Sequence, residues 1–149
     1  MTQLTEHFSE DELGVVGETT RCMNAFHLCG SILEPIRAHF GVPIRVHCGH
    51  RDMGHNARVG GKPTSWHLFV GTHTAVDFDI VGIDLQTAFD WIRLHSRLPF
   101  DKVILESDRS GRPVCIHLQY DVATEASNRR EAYTGSTGAA WDYKRVEVA

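Results

Sequence analysis

His67, Asp77 and His117 are residues of the types that hold a metal ion in hydrolytic enzymes. Such a site needs three protein ligands of the histidine and carboxylate kind, an open position for water, and a nearby carboxylate that accepts the proton of that water. His67 follows a turn-rich segment, Asp77 lies on the polar face of a predicted strand, and His117 lies in a predicted hairpin. Because the chain has ten histidines and scattered aspartates, spacing alone makes these residues candidates and no more.

A predicted hairpin carries both a candidate ligand and a candidate base. Its strands are residues 103–106 and 114–118, and the six-residue loop 107–112 has turn chemistry. With that loop, Glu106 lies opposite Pro113 and therefore on the same face as His117. In this register Glu106 and His117 are offset by four residues along the strands, on the order of 13 Å, so twist or a longer ladder would have to bring the two side chains together.

The rest of the chain predicts helices first and strands later. Apolar residues at spacings of three and four predict a helix over residues 22–40, with a break or kink at Pro35. Residues 121–149 are polar and weakly patterned, and we interpret them as a covering arm or tail. We therefore predict an α+β fold in which helices pack on a small, mainly antiparallel sheet. Helix caps are predicted at Ser9 and Asp84, and further strands at residues 44–48 and 74–80.

Composition excludes some classes of function. A chain of 149 residues with a formal net charge of −4 lacks the clustered cations that nucleic-acid binding needs. The four cysteines form no CxxC pair and are too few for a disulfide scaffold, so reduced thiols are expected. The N-terminal residues lack a basic and an apolar region, and no apolar run approaches the roughly 18 residues of a membrane span. We expect a soluble protein without an export signal of its own, and neither nucleic acid nor membrane as a partner.

Several short motifs follow one another in a specific order. They are residues 46–51 (VHCGHR), Asn56, Gly60 with Gly61, residues 65–68 (SWHL) and residues 75–78 (AVDF). This order resembles the zinc D-Ala-D-Ala carboxypeptidase family, which includes bacteriophage L-alanyl-D-glutamate endopeptidases and is related to the hedgehog N-terminal domain. The family pattern is a strand ending in S-G-Y-R, an N followed by G-G, and then S-x-H-x-x-G-x-A-x-D. Further similar segments are residues 4–9, 33–37, 116–120 and 128–130, so the resemblance covers roughly residues 3–131.

The resemblance implies a role for each candidate residue. Arg51 would orient the substrate or stabilise the developing oxyanion, which suits its fixed charge and fork of donors. Ser65 would line the substrate site, and Glu106 is the candidate general base. The implied reaction is attack of zinc-activated water on an amide of the peptidoglycan stem peptide, at either the D-Ala-D-Ala or the L-Ala-D-Glu bond. The implied zinc ligands are His67, Asp77 and His117.

An insertion separates the first two implied ligands. The family places its aspartate seven residues after the first histidine, whereas Asp77 follows His67 by ten. His73 then stands where the motif has glycine, and it could be an alternative ligand, a pocket residue or an exposed loop histidine, of which we favour the last. Asp79 shares the strand face of Asp77 and is an alternative carboxylate ligand.

Two further departures concern the base and the thiols. Val114 stands where some branches of the family carry the catalytic acidic residue, and Glu106 is chosen because other branches use a glutamate at the end of the preceding strand. Cys115 and Cys48 replace other residue types of the family pattern. A thiolate near zinc could compete as a ligand, but we interpret both cysteines as small wall residues.

The resemblance predicts a peptidase domain over residues 1–131 and a C-terminal tail over residues 132–149. It predicts an active peptidoglycan hydrolase that is made in the cytoplasm and either acts at the cell wall or is carried in a phage particle. We expect the protein to be phage-encoded, because its motifs are most like those of phage and prophage members. The alternative is a structural or attachment protein of the phage virion, with virion assembly partners, that keeps the peptidase fold with little or no catalysis.

Overall fold

The computed structural model describes residues 2–136 and 142–149 of the chain. A π-helical turn covers Cys29–Leu33, and short 3-10 turns cover Trp66–Leu68 and Glu125–Ser127. In chain order, the strands and longer helices are β1 (Gln3–Thr5), β2 (Phe8–Ser9), α1 (Glu10–Leu13), α2 (Thr19–Leu28), α3 (Glu34–Phe40), β3 (Ile44–Cys48), α4 (Met53–Arg58), β4 (His73–Ile80), α5 (Leu85–Leu94), β5 (Lys102–Ser107), β6 (Pro113–Asp121), β7 (Glu131–Ser136) and β8 (Lys144–Val146).

The main sheet has six strands in the order β3-β4-β6-β5-β7-β8, and β1 pairs with β2 in a separate ribbon. Neighbouring strands of the main sheet are antiparallel except β5 and β7, which are parallel. The predicted α+β fold with a mainly antiparallel sheet is therefore confirmed.

The helices cover one face of this sheet and leave the other face for a site. In β4, Val76 and Phe78 are fully buried in the core, whereas Asp77 between them is only partly buried, because successive side chains of a strand point to opposite faces. Core side chains from the helices include Ile36 of α3 and Phe89 of α5. The polar residues of β4 and β6 consequently share the face that the helices do not cover.

The helical segment around Pro35 is interrupted as predicted. Proline has no backbone N–H, and its ring crowds the carbonyl group four residues earlier, so a regular helix cannot continue through it. The chain adopts a π-helical turn just before it, in which the N–H of Glu34 donates to the carbonyl oxygen of Cys29. The helix ends at Gly41, whose φ of 71° is in the left-handed region that glycine favours.

The polar C-terminal segment, predicted as an arm or tail, extends the main sheet. Its strands β7 and β8 lie beyond β5, and Arg130 and Glu131 are tied by backbone hydrogen bonds to Phe100 and Asp101. Strand pairing uses backbone groups, so edge strands need no clear alternation of apolar residues. The sheet therefore continues past the predicted domain boundary at residue 131.

Candidate metal centre and active-site cleft

Two neighbouring strands and one turn bring the three candidate ligands together. β4 and β6 are paired so that Asp77 lies directly opposite His117. His67 lies in a 3-10 turn, and the hydroxyl of Ser65 caps this turn by accepting a hydrogen bond from the His67 N–H at 3.3 Å. The N–H of Arg51 donates to the carbonyl oxygen of His67 at 2.7 Å. This bond fixes the turn to the segment that follows β3.

The carboxylate of Asp77 contacts two imidazole rings. Its Oδ1 lies 2.8 Å from Nδ1 of His117, and its Oδ2 lies 3.2 Å from Nε2 of His67. The remaining nitrogen of each ring has another partner: His67 Nδ1 lies 2.7 Å from the carbonyl oxygen of Gly49, and His117 Nε2 lies 3.1 Å from Oε1 of Gln119. Histidines that bind metals are oriented in this way, with the second ring nitrogen donating to a fixed acceptor.

The electrostatics of these residues favour a charged carboxylate. Burial acts to raise the pKa of the Asp77 carboxyl, but the hydrogen bond from His117 and the proximity of His67 outweigh it and hold the pKa well below its usual range. Burial also acts to lower the pKa of His117, whereas its bond to Asp77 and the charges of Asp77 and Glu106 raise it above the ordinary value. The carboxylate of Asp77 therefore stays ionised, which is the state that a metal ligand needs.

The donor set fits a divalent metal ion such as zinc. His67 is 1% exposed, and among the described residues its buried Nε2 has the 3.2 Å contact with Oδ2 of Asp77 but no well-aligned hydrogen bond, a state that coordination would relieve. A ring nitrogen of His67, a carboxylate oxygen of Asp77 and Sγ of Cys48 all lie within 4.8 Å of one another. His117 is outside this three-residue group and joins it through its contact with Asp77. Nitrogen, oxygen and sulfur donors of these kinds are the ligands of zinc.

These residues line an open cleft of about 790 Å³, a size that suits a small peptide. Arg129 is paired with Asp101 at 2.8 Å. Burial and the positive charge of Arg129 lower the pKa of Lys102, which indicates a positive potential on this wall of the cleft. The wall therefore favours an anionic ligand, although the net charge of the chain is −4. The cationic residues among the lining are Arg51, Lys62, Lys102 and Arg129.

Glu106 also lines the cleft, but in a register different from the predicted one. It pairs with Cys115 instead of Pro113, because the ladder between β5 and β6 is irregular and Val114 has no partner in it. The predicted offset of four residues between Glu106 and the position opposite His117 is therefore wrong. The offset is two residues, which corresponds to about 7 Å along the strand.

Two side chains hold the carboxylate of Glu106. The phenol of Tyr143 donates to Oε1 at 3.1 Å, and the thiol of Cys115 lies 3.9 Å from Oε2. Burial, and next the negative charge of Glu106, raise the pKa of Tyr143, so the phenol keeps its proton and remains a donor. The carboxylate is thereby fixed on the cleft wall.

Arg51 and Ser65, the predicted substrate-binding residues, both line the cleft. The Nε of Arg51 is buried and has no hydrogen-bond partner among the described residues, so no protein acceptor holds the guanidinium through this atom. Burial and the charge of Asp77 raise the pKa of the Cys48 thiol, and the guanidinium of Arg51 acts in the opposite direction. Arg51 therefore lies close to the metal-binding group as well as to the cleft.

The two alternative ligands have other partners and do not line the cleft. Asp79 bonds to Arg45 and His47 of the neighbouring strand β3. His73 is stacked on Trp66, with ring centroids 3.8 Å apart and an angle of 5° between the rings. His73 is the first residue of β4 and not a loop residue, although its side chain is 45% exposed.

Two residues of the site were not identified from the sequence. Gln119, which holds His117, could have been found from strand parity, because it lies two residues further on the same face. Tyr143, which holds Glu106, could not have been found, because its segment carries no pattern that predicts strand pairing.

A comparison with protein-family models matched residues 2–119 to the family described as Peptidase M15. Searches of curated proteins and of solved structures gave no significant match. In the part of the chain that the structure describes, no helix has the length and apolar character to cross a membrane. The matched range contains His67, Asp77 and His117, and the family predicted from the motifs is confirmed. The chain belongs to the peptidase M15 family.

Proposed function

We propose that this M15 peptidase is a zinc metallopeptidase that hydrolyses an amide bond in the stem peptides of peptidoglycan. The observation that carries the proposal is the approach of His67 Nε2 and His117 Nδ1 to the carboxylate of Asp77. These three residues line a cleft that also contains Glu106. Three such ligands with a nearby carboxylate are the composition of a hydrolytic zinc site.

Zinc would be held by His67 through Nε2, by the Asp77 carboxylate and by His117 through Nδ1. The chemistry that zinc supplies when bound is Lewis acidity toward the scissile carbonyl and a lowered pKa of water. The chain keeps both rings in the required orientation, because the carbonyl oxygen of Gly49 and the amide oxygen of Gln119 accept hydrogen bonds from the nitrogens that face away.

Glu106 is the general base of the proposed reaction. It takes a proton from the attacking water and transfers it to the amine that leaves. The hydrogen bond from Tyr143 fixes one oxygen of its carboxylate, and the second oxygen has the weaker thiol contact with Cys115. Oε1 of Glu106 is therefore held in place by Tyr143, while Oε2 can accept the proton.

Arg51 and Ser65 bind and orient the peptide. The place of Arg51 in the cleft lining supports a contact with a substrate carbonyl or carboxylate, where a planar guanidinium forms strong charge-assisted hydrogen bonds. Lys62 and Lys102 add positive charge along the cleft. Stem peptides carry free carboxylates, so this charge supports them as the substrate class.

The test is digestion of purified peptidoglycan by the zinc-loaded protein, followed by identification of the products. Release of free D-Ala indicates cleavage at the D-Ala-D-Ala bond, whereas new D-Glu amino termini indicate cleavage at the L-Ala-D-Glu bond. Glu106→Gln serves as the matched control, because it keeps the size of the side chain and removes the base. We expect a loss of about 10² to 10⁴ in rate for this variant, with zinc still bound.

A protein that binds one equivalent of zinc and cleaves no peptidoglycan would contradict the proposal. That result would favour the alternative of a virion component that keeps the peptidase fold. Full activity of Glu106→Gln would exclude Glu106 as the base without affecting the metal site. Phage origin and action at the cell wall stay predictions from the motifs.

A further inference from the structure

An irregularity in β3 turns the side chain of Cys48 toward the candidate metal centre. Val46 pairs with Phe78, and the next pair is Cys48 with Asp77, so His47 is an extra residue in the ladder. In a regular ladder His47 would lie opposite Asp77, and Cys48 would belong to the face that the helices cover. Bulges commonly redirect a side chain beside an active site. The bulge therefore gives Cys48 its place in the cleft.

The thiol of Cys48 faces the same point as two of the proposed ligands. Its Sγ, a ring nitrogen of His67 and a carboxylate oxygen of Asp77 lie within 4.8 Å of one another. An independent observation concerns His67, which is 1% exposed: among the described residues its Nε2 has the 3.2 Å contact with Asp77 Oδ2 but no well-aligned hydrogen bond. A buried ring nitrogen without a hydrogen bond, beside a carboxylate and a thiol, is the arrangement that a metal ion would complete.

We propose that Cys48 is a further ligand of the metal, bound as the thiolate beside His67, Asp77 and His117. This inference rests on the metal site of the proposed function. Formation of the metal–sulfur bond breaks the S–H bond and releases the proton to solvent. The soft sulfur donor makes the site selective for zinc over magnesium or calcium, which prefer oxygen ligands.

A fourth side-chain ligand changes what the centre does. Zinc sites with four protein ligands are closed and structural, whereas hydrolytic sites keep one position open for water or substrate. With Cys48 bound, the centre is a resting state that holds zinc tightly and hydrolyses slowly. Removing the thiol is therefore expected to weaken zinc binding by about tenfold or more while raising the rate of hydrolysis several-fold.

The test uses Co²⁺ in place of zinc, because a cobalt–thiolate bond gives a charge-transfer absorption that nitrogen and oxygen ligands do not give. Wild type, Cys48→Ser and Cys115→Ser are compared at one equivalent of Co²⁺. Cys115 is the matched control, because its thiol contacts Glu106 and it is not a member of the group formed by Cys48, His67 and Asp77. We expect the absorption in wild type and in Cys115→Ser, and its loss in Cys48→Ser. Its persistence in Cys48→Ser would overturn the inference.

The failures of the two proposals are distinguishable. If Co²⁺ and zinc do not bind to wild type, the metal site of the proposed function fails. If they bind at one equivalent without the thiolate absorption, the metal site stands and the role of Cys48 is excluded.

A measurement without a substitution keeps the inference testable if Cys48→Ser does not fold. Cys48 lines the cleft and is only partly buried, so a small alkylating reagent can reach it. Alkylation of the wild-type protein is followed by peptide mass spectrometry with and without zinc. We expect zinc to slow the reaction of Cys48 by about tenfold or more while Cys22, remote from the ligands, reacts at an unchanged rate. Equal rates for Cys48 in both conditions would contradict the proposal.

Discussion

Nδ1 of His67 lies 2.7 Å from the carbonyl oxygen of Gly49, and this contact determines which ring nitrogen is available to a metal. Gly49 in turn lies against the backbone of Leu13, since a Cβ added to it would be 2.5 Å from the Leu13 carbonyl oxygen. That same oxygen accepts a hydrogen bond from the N–H of His50 at 2.8 Å. The orientation of a proposed ligand therefore depends on a close backbone contact made by a glycine.

Gly49→Ala is expected to disturb both the fold and the metal site. The new methyl group meets backbone atoms, which cannot rotate away, so the segment must move from Leu13 and carry the acceptor of His67 with it. We expect a loss of about 1–3 kcal/mol in the free energy of unfolding and a roughly tenfold loss in zinc affinity. Denaturant unfolding of the metal-free protein and a zinc titration measure the two effects.

Gly30→Ala is the matched control, because a Cβ at Gly30 meets no atom of the described residues within 4 Å outside its own helix and chain neighbours. We expect this variant to keep the stability and zinc affinity of the wild type. If Gly49→Ala behaves like Gly30→Ala, the backbone contact does not position His67.

Asp77→Asn and Asp79→Asn separate the two candidate carboxylates of β4. Asp77 lies between two imidazole rings, whereas Asp79 is bonded to Arg45 and His47 of β3. We expect Asp77→Asn to lower zinc affinity by about a hundredfold, because a neutral amide is a poor zinc ligand and the charge is lost. Asp79→Asn should keep an affinity close to that of the wild type. Calorimetric titration with zinc compares them, and a greater loss in Asp79→Asn would make Asp79 the ligand.

Periodicity was sufficient to predict the features that depend on a single strand or helix. The alternation in residues 74–80 predicted the two faces of β4, and the capping box at Ser9 is formed with Glu12. Strand parity also placed Glu106 and His117 on one face, as observed. These features follow from local geometry, because the side chains of a strand alternate regardless of its partner.

Features that depend on how strands pair could not be predicted. The bulges at His47 and Val114 set the positions of Cys48 and Glu106, and no residue pattern in one strand indicates where its ladder slips. Tyr143 reaches Glu106 because β8 is added to the sheet through β7, which pairs in parallel with β5. Such long-range pairing is decided by tertiary packing.

Asp101 is expected to make stability depend on acidic pH. Burial acts to raise the pKa of its carboxyl, but the hydrogen bonds from Arg129 outweigh it and hold the pKa below the ordinary value. The unfolded chain therefore binds a proton at a higher pH than the folded chain. The contribution of the ionised Asp101 to the free energy of unfolding is thus complete above the unfolded pKa of about 3.9 and is lost as pH falls. Thermal unfolding measured from pH 7 to pH 3 should show this loss of stability in acid.

Arg129→Gln should remove part of that pH dependence. The substitution leaves the carboxylate of Asp101, which is 1% exposed, without its cation. Because Arg129 is itself half exposed, we expect the free energy of unfolding at pH 7 to fall by about 1–3 kcal/mol. Arg145→Gln is the control, since Arg145 is exposed and lies 3.8 Å from Glu131, and its effect should stay within about 0.5 kcal/mol. An unchanged acidic loss in Arg129→Gln would mean that another carboxylate causes it.

Tyr143→Phe tests whether the phenol positions the proposed base. The variant removes the donor that lies 3.1 Å from Glu106 while the ring can remain in place. A hydrogen bond to a charged group contributes about 1.5–3 kcal/mol, so we expect kcat to fall by about tenfold to a hundredfold with little change in KM or zinc content.

Tyr133→Phe is the control for this prediction, because its hydroxyl donates to Glu131 at 2.9 Å and its ring also lines the cleft. It loses a comparable hydrogen bond without affecting Glu106, so kcat should stay close to that of the wild type. A structural role of Tyr143 would lower stability and metal content together with kcat, whereas a positioning role lowers kcat alone. Equal kcat values for the two variants would therefore remove Tyr143 from the mechanism, and the base would have to be held by the rest of the cleft wall.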